Sequence, residues 1–222
     1  MKKIYLLSGP GSKEGFSDEI VVRLKKDLEG KKKVAFIASS PKSYDKNDLF
    51  VNGNNDNIVG MKNHLKKVMD IEDITIIDER ISNEDGKNAI LNADVVYLLG
   101  GDPFTQLEYI KTNNYDDTLK EYDGIILGTS AGAMNMSEKG YYSKDEDYPD
   151  SFFYDAMGMT DITIDPHFEI DNEEQIKEAE IFSKEHIIVG LPNSSAIRIE
   201  DEQIEYIGKC YIFENGTMTI EN

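Results

Sequence analysis

Short apolar runs alternate with amphipathic stretches along the first part of the chain. Five runs rich in Val, Ile and Leu occupy residues 3–8, 34–38, 74–77, 95–99 and 124–127. Between them, apolar residues recur at helical spacing over residues 16–28, 58–69 and 85–92. Runs that are apolar throughout are typical of strands buried on both faces. The alternation therefore predicts an α/β fold with a parallel sheet flanked by helices, where ligands bind at the carboxyl ends of the strands.

The second part of the chain has a different pattern. Residues 139–155 are rich in Tyr, Asp and Lys and predict a loop with a short hairpin that folds over the site. Strands are predicted at 162–168 and 187–193, with a helix at 173–182 between them. Turn signals after residue 195 predict a C-terminal antiparallel meander packed on the sheet edge. The polar stretch 42–57 predicts a loop or irregular helix start, and no linker divides the chain, so we expect a single domain over residues 1–222.

The net charge limits the binding partners that we expect, and the cysteine content limits the cellular compartment. Lys and Arg number 24 and Asp and Glu 43, which gives a formal net charge of −19 at pH 7. Such an acidic chain is a poor partner for nucleic acid or an anionic membrane, although its charge does not identify a substrate. The one cysteine, Cys210, excludes a disulfide within the chain, and the apolar start is too short for a signal peptide. We expect a cytoplasmic protein that is a monomer or homodimer.

The strongest candidate for chemistry is the pentapeptide Gly128-Thr129-Ser130-Ala131-Gly132, a Gly-x-Ser-x-Gly motif between a predicted strand and a predicted helix. A serine on such a tight turn exposes its hydroxyl at the carboxyl edge of a sheet, as a nucleophile elbow requires. The flanking glycines are needed where a Cβ would collide with the neighbouring strand or helix. The alternative is a glycine-rich turn that only packs closely.

Other residues of an acyl-transfer site follow from the neighbouring strand ends. Gly101 ends the strand at 95–99, so its amide and that of Ala131 are our candidates for an oxyanion hole. His167 ends another strand, 37 positions after Ser130, where a sheet enzyme would hold its general base. We interpret His64 as a solvated helix residue and His186 as a surface residue.

A glycine-rich turn at residues 9–15 superficially resembles a dinucleotide-binding loop. Its third glycine falls one residue late for Gly-x-Gly-x-x-Gly, and the strand at 34–38 ends in Ser39-Ser40-Pro41 rather than in a ribose-binding acid. We therefore interpret these glycines as loop geometry and expect neither a cofactor nor a metal.

Four blocks of the sequence follow one another in the order Gly100-Gly101-Asp102-Pro103-Phe104-Thr105-Gln106-Leu107, Gly128-Thr129-Ser130-Ala131-Gly132-Ala133, Ile164-Asp165-Pro166-His167-Phe168 and Gly190-Leu191-Pro192. Together they make the chain resemble the aspartyl dipeptidase (dipeptidase E) and cyanophycinase family of cytoplasmic serine hydrolases. The resemblance implies a three-layer sandwich with a mainly parallel central sheet, similar to class I glutamine amidotransferases. It also implies Ser130 as nucleophile and His167 as base.

The chain departs from this family after the Gly-Leu-Pro block. Aspartyl dipeptidases have a glutamate there that orients the histidine, whereas this chain has Asn193. An asparagine oxygen can fix the histidine tautomer but offers no full charge. Asp145 falls where the dipeptidases carry a functionally important aspartate. Either Asn193 or Asp145 is therefore the third member of the site.

A second departure concerns the substrate. The Asp-specific dipeptidases have a longer, basic segment after the histidine, whereas residues 169–175 are short and acidic here. Such a rim repels Asp-X dipeptides, so that specificity does not carry over.

Three functions remain open from the sequence. The first is a serine peptidase that hydrolyses short peptides or related amides. The second is a catalytically weak or inactive family member that binds a peptide or small ligand, which the neutral Asn193 favours. The third is an esterase of the α/β-hydrolase type, in the order Ser130, Asp145, His167, which the several strands predicted after His167 disfavour.

Overall fold

The structure, a computed structural model, describes residues 2–10, 15–54, 59–201 and 203–222. Residues outside this description are Met1, 11–14 of the glycine-rich turn, 55–57 at the end of the predicted polar loop, 58 at the start of the predicted helix, and 202 in a predicted turn. Strands and helices alternate up to residue 134, and strands predominate after it. The prediction of one domain over residues 1–222 stays a prediction.

The main sheet has a parallel centre and one antiparallel edge. Its parallel strands are β1 (Lys3–Leu7), β2 (Lys31–Ile37), β3 (Asp70–Ile77), β4 (Val95–Leu98) and β5 (Ile125–Thr129). Two antiparallel strands, β10 (Ala196–Glu200) and β11 (Gln203–Ile207), extend the sheet beyond β1. The order across the sheet is β11-β10-β1-β5-β4-β2-β3, which places β5 between β1 and β4.

Both faces of this sheet are buried, as the uniformly apolar strands predict. Along β1, Ile4 and Leu6 belong to one hydrophobic cluster, while Tyr5 and Leu7 belong to another. Successive side chains of a strand point to opposite faces, so the two clusters are the cores on the two sides of the sheet. A strand with apolar residues at every position is stable only when both faces are covered.

Helices cover the two faces in two groups. Helices α1 (Asp18–Asp27), α2 (Tyr44–Asn52) and α3 (Met61–Leu65) contribute to the cluster that contains Tyr5. Helices α4 (Asn83–Asn92), α5 (Pro103–Thr112), α6 (Tyr115–Glu121) and α7 (Ala131–Met134) contribute to the cluster that contains Ile4. The predicted α/β class, with a mainly parallel central sheet and helices on both sides, is confirmed. None of the helices among the described residues has the length and apolar character that crossing a membrane requires.

A second sheet and a hairpin carry the rest of the chain. The sheet consists of β8 (Thr163–Pro166), β9 (Ile188–Leu191), β12 (Cys210–Glu214) and β13 (Thr217–Glu221), in the order β13-β12-β9-β8. Helix α8 (Glu173–Phe182) connects β8 to its parallel neighbour β9. The hairpin, predicted within residues 139–155, pairs β6 (Lys139–Tyr142) with β7 (Phe152–Asp155).

The predicted C-terminal meander is wrong in one respect, because its strands divide between the two sheets. β10 and β11 form the edge of the main sheet, whereas β12 pairs with β9. Phe213 and Tyr211 of β12 pack with Phe168 in a separate aromatic cluster, and this packing draws the strand away from the main sheet. The sequence of a short strand with alternating polar and apolar residues does not indicate which sheet the strand joins.

Three local predictions also need correction. Residues 44–52, expected in a loop or irregular helix start, form α2, and α6 follows α5 without a sequence prediction. The helix expected at 58–69 is reduced to the five residues of α3. His64 on α3 is buried rather than solvated, because α3 packs into the core and the imidazole ring of His64 packs against Phe16. That burial lowers the pKa of His64.

Candidate active site

Ser130 lies on a strained turn between β5 and α7. Its backbone has φ 49° and ψ −114°, a conformation that costs free energy for a residue with a side chain. Two hydrogen bonds hold it there, from Ser130 N–H to Leu7 O (2.9 Å) and from Met134 N–H to Ser130 O (2.9 Å). A hydroxyl at such a strand-to-helix turn projects at the carboxyl end of the sheet, as the motif predicts.

The two glycines of the motif are required by close contacts on both sides. A Cβ at Gly128 would lie 2.8 Å from the amide nitrogen of Ala133 in α7. A Cβ at Gly132 would lie 2.4 Å from the carbonyl oxygen of Leu98 in β4. These are the collisions with helix and neighbouring strand that the sequence predicts, so the turn tolerates no larger residue at either position without a shift of backbone.

His167 reaches Ser130 from the second sheet. It follows the last residue of β8, and its own backbone is in the left-handed region with φ 58°. Nε2 of its exposed ring lies 2.9 Å from Ser130 Oγ. The carboxyl end of β8 therefore meets the carboxyl end of β5, which brings together two residues 37 positions apart.

The other ring nitrogen of His167 is held by Asn193, which follows β9. Nδ1 lies 2.6 Å from Asn193 Oδ1. Because an amide oxygen only accepts hydrogen bonds, Nδ1 carries the proton and Nε2 presents a lone pair to the serine hydroxyl. This is the tautomer in which a histidine can remove a proton from Ser130.

The structure does not bring Asp145 to the imidazole. Its carboxylate accepts hydrogen bonds from Tyr142 Oη (2.6 Å) and from the backbone N–H groups of Asp147 and Tyr148 (2.9 Å each). The hydrogen bond from Tyr142 is the main reason that the pKa of Asp145 lies below its usual range. Asp145 thus stabilises the loop between β6 and β7, and it lies at the wall of the cavity described below.

Gly101 and Ala131, the predicted oxyanion donors, line the same cavity as Ser130 and His167. Gly101 has φ 140°, which favours glycine, and a Cβ there would lie 2.3 Å from Ser39 Oγ. Ser39 Oγ in turn donates to Gly100 O (2.6 Å), so the strand end is held from a neighbouring loop. Two backbone segments, at Gly101 and Ala131, therefore lie at the same cavity as the serine.

The cavity at this edge has a volume of about 410 Å³. Ser143, Lys144 and Ser151 of the β6–β7 hairpin and its loop line the cavity. Aromatic residues hold this hairpin against α5: Phe104, Tyr142, Tyr148, Phe152 and Tyr154. The predicted hairpin therefore does fold over the site. Among the described residues, no group of three His, Cys, Asp or Glu side chains could hold a metal ion.

Acidic groups dominate the charge of the cavity. Of the residues that the structure describes, one lysine, Lys144, and five carboxyl side chains line it: the five are Asp145, Asp165, Glu169, Glu174 and Glu178. Lys144 Nζ lies 2.7 Å from Glu174 and 3.5 Å from Glu178, so the lysine is already paired. A negatively charged substrate would meet uncompensated carboxylates here.

Sequence reasoning missed Asp165 as a residue of this cavity. It is fully buried, and burial raises its pKa to about 6. Its carboxyl group accepts hydrogen bonds from Ser143 Oγ and from Gln175 Nε2 (2.9 Å). The available signal was a single carboxyl residue within the apolar strand that leads to His167.

The chain is similar to known proteins in sequence and in fold. The family model of peptidase family S51 matches residues 4–207. The fold is similar to a crystal structure described as a "Putative Peptidase E Protein" from Listeria monocytogenes EGD-e, with a TM-score of 0.64, 20% identity and coverage of 93% of this chain and 98% of that chain. It is also similar to a peptidase from an acI-B1 Actinobacterium, with a TM-score of 0.64, 13% identity and coverage of 100% and 94%. No curated protein matches the sequence significantly.

Proposed function

The chain belongs to peptidase family S51, and from this premise we propose that it hydrolyses short peptides or related amides through an acyl-enzyme on Ser130. The observation that carries the proposal is the chain of contacts from Ser130 Oγ to His167 Nε2 (2.9 Å) and from His167 Nδ1 to Asn193 Oδ1 (2.6 Å). The family match confirms the resemblance found in the sequence and makes the chain a peptidase. The serine mechanism and the substrate are our proposal.

In the proposed reaction, Ser130 Oγ attacks the carbonyl carbon while its proton moves to His167 Nε2. The amides of Gly101 and Ala131 stabilise the oxyanion of the tetrahedral intermediate. His167 then gives the proton to the leaving amine, and the C–N bond breaks to leave an ester on Ser130. Water attacks this ester with His167 again as base, which releases the acid and restores the serine hydroxyl.

A fluorophosphonate probe tests this proposal on the purified wild-type protein. The probe forms a covalent bond only with a serine whose proton a base removes, so we expect one label on Ser130. A protein that stays unlabelled would support the second candidate, a binding protein that keeps the cavity without the chemistry. The neutral Asn193 is the observation that favours that candidate, since it gives His167 no charged partner.

We expect Asn193→Glu to raise turnover on any peptide that the wild type already cleaves. A carboxylate at this position would stabilise the imidazolium formed in the reaction, and a charged hydrogen bond is about 1.5 kcal/mol better than a neutral one. That difference corresponds to a gain on the order of tenfold. Steady-state turnover of the two proteins over a range of pH is the measurement.

Asp145→Asn supplies the comparison for this prediction. Since Asp145 is bound to Tyr142 and to its own turn, its loss should leave the gain from Asn193→Glu intact in the double variant. If Asp145→Asn alone removed most of the activity, Asp145 rather than Asn193 would supply the partner of His167. If neither substitution changed turnover, neither Asn193 nor Asp145 would orient His167 in the reaction.

The cavity charges predict which substrates are disfavoured. Within the described part of the chain, five carboxyl groups and one paired lysine surround the space beside Ser130. A peptide with an Asp side chain next to the scissile bond should therefore be cleaved less efficiently than one with Ala or Lys. We expect kcat/KM to fall in the order Lys, Ala, Asp when dipeptides differ only in that residue. The preference should weaken at high salt.

Glu178→Gln tests the source of this preference. Removing one cavity carboxylate should reduce the preference for Lys over Asp by about threefold to tenfold at low ionic strength. Glu173→Gln is the matched control, because Glu173 lies on the same helix, is exposed and pairs with Lys177 outside the cavity. An equal effect of both substitutions would assign the preference to the overall negative charge of the protein instead.

A further inference from the structure

The carboxyl end of β1 contacts all three residues of the candidate site. Leu7 O accepts the backbone N–H of Ser130 at 2.9 Å. The next residue, Ser8, accepts the backbone N–H of His167 on its Oγ at 2.7 Å. The same Oγ lies 3.2 Å from Asn193 Oδ1. One strand end therefore meets three residues that come from β5, β8 and β9.

The direction of each hydrogen bond at Ser8 follows from the partners. A backbone N–H can only donate, so a lone pair of Ser8 Oγ receives the N–H of His167. An amide oxygen can only accept, so the hydroxyl proton of Ser8 points to Asn193 Oδ1. Asn193 Oδ1 then uses two lone pairs, one for Ser8 and one for His167 Nδ1. Ser8 is fully buried, so water does not compete for these bonds.

We propose that Ser8 is a positioning residue, whose hydroxyl holds the Asn193 amide with its oxygen toward His167 and holds the backbone of His167 in its left-handed conformation. This inference rests on the proposed function, because it concerns the same catalytic residues. Ser8 touches neither the substrate nor the reacting atoms and acts through its two partners.

A positioning residue is needed because the side chain that contacts His167 is the amide of Asn193. An asparagine amide can turn by 180°, which would place Nδ2–H instead of Oδ1 against His167 Nδ1. Nδ1 would then have to accept, the proton would move to Nε2, and His167 could no longer take the proton of Ser130. The hydroxyl of Ser8 disfavours that flip because it would lose its acceptor.

Ser8 also stabilises the backbone conformation of His167. Its φ of 58° is strained for a residue with a side chain, and the bond from its N–H to Ser8 Oγ opposes relaxation of that backbone. A small rotation there would move Nε2 away from Ser130 Oγ, and misplacement by about 1 Å can cost two orders of magnitude in rate.

Ser8→Ala is the test, with Ser183→Ala as its matched control. Ser183 is also buried, accepts a backbone N–H from Gly216 (3.0 Å) and donates to a carbonyl oxygen, that of Glu180 (3.0 Å). We expect Ser8→Ala to lower kcat by about 10- to 100-fold with KM within about twofold of the wild type. Ser183→Ala should lose thermal stability without losing turnover. A folded Ser8→Ala protein with wild-type kcat would overturn the proposal.

A second measurement does not depend on turnover. Nitrogen-15 NMR of the imidazoles, at about pH 8 where imidazoles are generally neutral, reports which ring nitrogen carries the proton. Only three histidines are present, and the spectrum of His167→Ala assigns the signal of His167. We expect the Nδ1–H tautomer in the wild type and in Ser183→Ala, and a mixture of tautomers in Ser8→Ala. If Ser8→Ala kept the Nδ1–H tautomer, Ser8 would not be the residue that orients the Asn193 amide. This result can be obtained even if the protein does not react with a fluorophosphonate.

Discussion

Ser130→Ala is expected to abolish labelling by a fluorophosphonate and to lower peptide turnover by about 10⁴-fold or more, since no other group replaces the attacking oxygen. The substitution should change the free energy of unfolding by less than about 1 kcal/mol, because the hydroxyl faces the cavity and contributes little to the core. Mass spectrometry of the labelled protein and a thermal melt are the two measurements.

Ser137→Ala is the control for this prediction. Ser137 is a buried serine seven positions further along, and its Oγ donates to Ile162 O at 2.7 Å. It lies outside the set of residues that line the cavity, so its loss should destabilise the protein somewhat and leave the label on Ser130. A label that persisted in Ser130→Ala would remove Ser130 from the mechanism.

The second large effect is expected for His167→Ala. Without a base within 2.9 Å, the serine hydroxyl stays protonated and is a poor nucleophile, so turnover should fall by about 10³-fold or more. The side chain is exposed, so the melting temperature should change little. Steady-state turnover at saturating peptide is the measurement, and labelling should slow to a similar extent.

The two other histidines provide the comparison. His186 is half-buried against the ring of Phe153, rather than at the surface as the sequence suggested, and His64 is buried beside Phe16. Neither belongs to the cavity that contains Ser130. His186→Ala should therefore retain turnover within about twofold. Near-normal turnover in His167→Ala would mean that His167 is not the general base.

Local patterns were sufficient for the elements that form the site. The strand-to-helix turn at Ser130 could be predicted because the residue types that mark it lie within five positions, Gly128 to Gly132. The Asp102-Pro103 pair is likewise a local pattern for the start of a helix: Asp102 caps α5, accepting from Thr105 N–H at 2.6 Å, with Pro103 in the first turn. Parallel strands with apolar residues on both faces implied the covered central sheet.

The choice between Asn193 and Asp145 could not be made from the sequence. Both residues are polar: Asn193 ends a predicted strand, and Asp145 lies in the segment predicted to fold over the site. Asn193 reaches His167 because β8 and β9 are parallel neighbours, so that their carboxyl ends lie side by side. Asp145 is instead retained by its own turn and by Tyr142. The side chain that lies beside the imidazole therefore depends on a strand pairing between residues 25 positions apart, Thr163 and Ile188.

The α/β class, the strand-to-helix turn at Ser130 and the strand end that carries His167 could be predicted, because each is marked by residue types that lie close together in the chain. Only the folded chain shows the second sheet, the burial of His64, the place of Asp165 in the cavity, and the contact of Ser8 with His167. These features join residues up to 159 positions apart. Their formation depends on which strands pair and which faces pack together, and many pairings satisfy the same local pattern equally well.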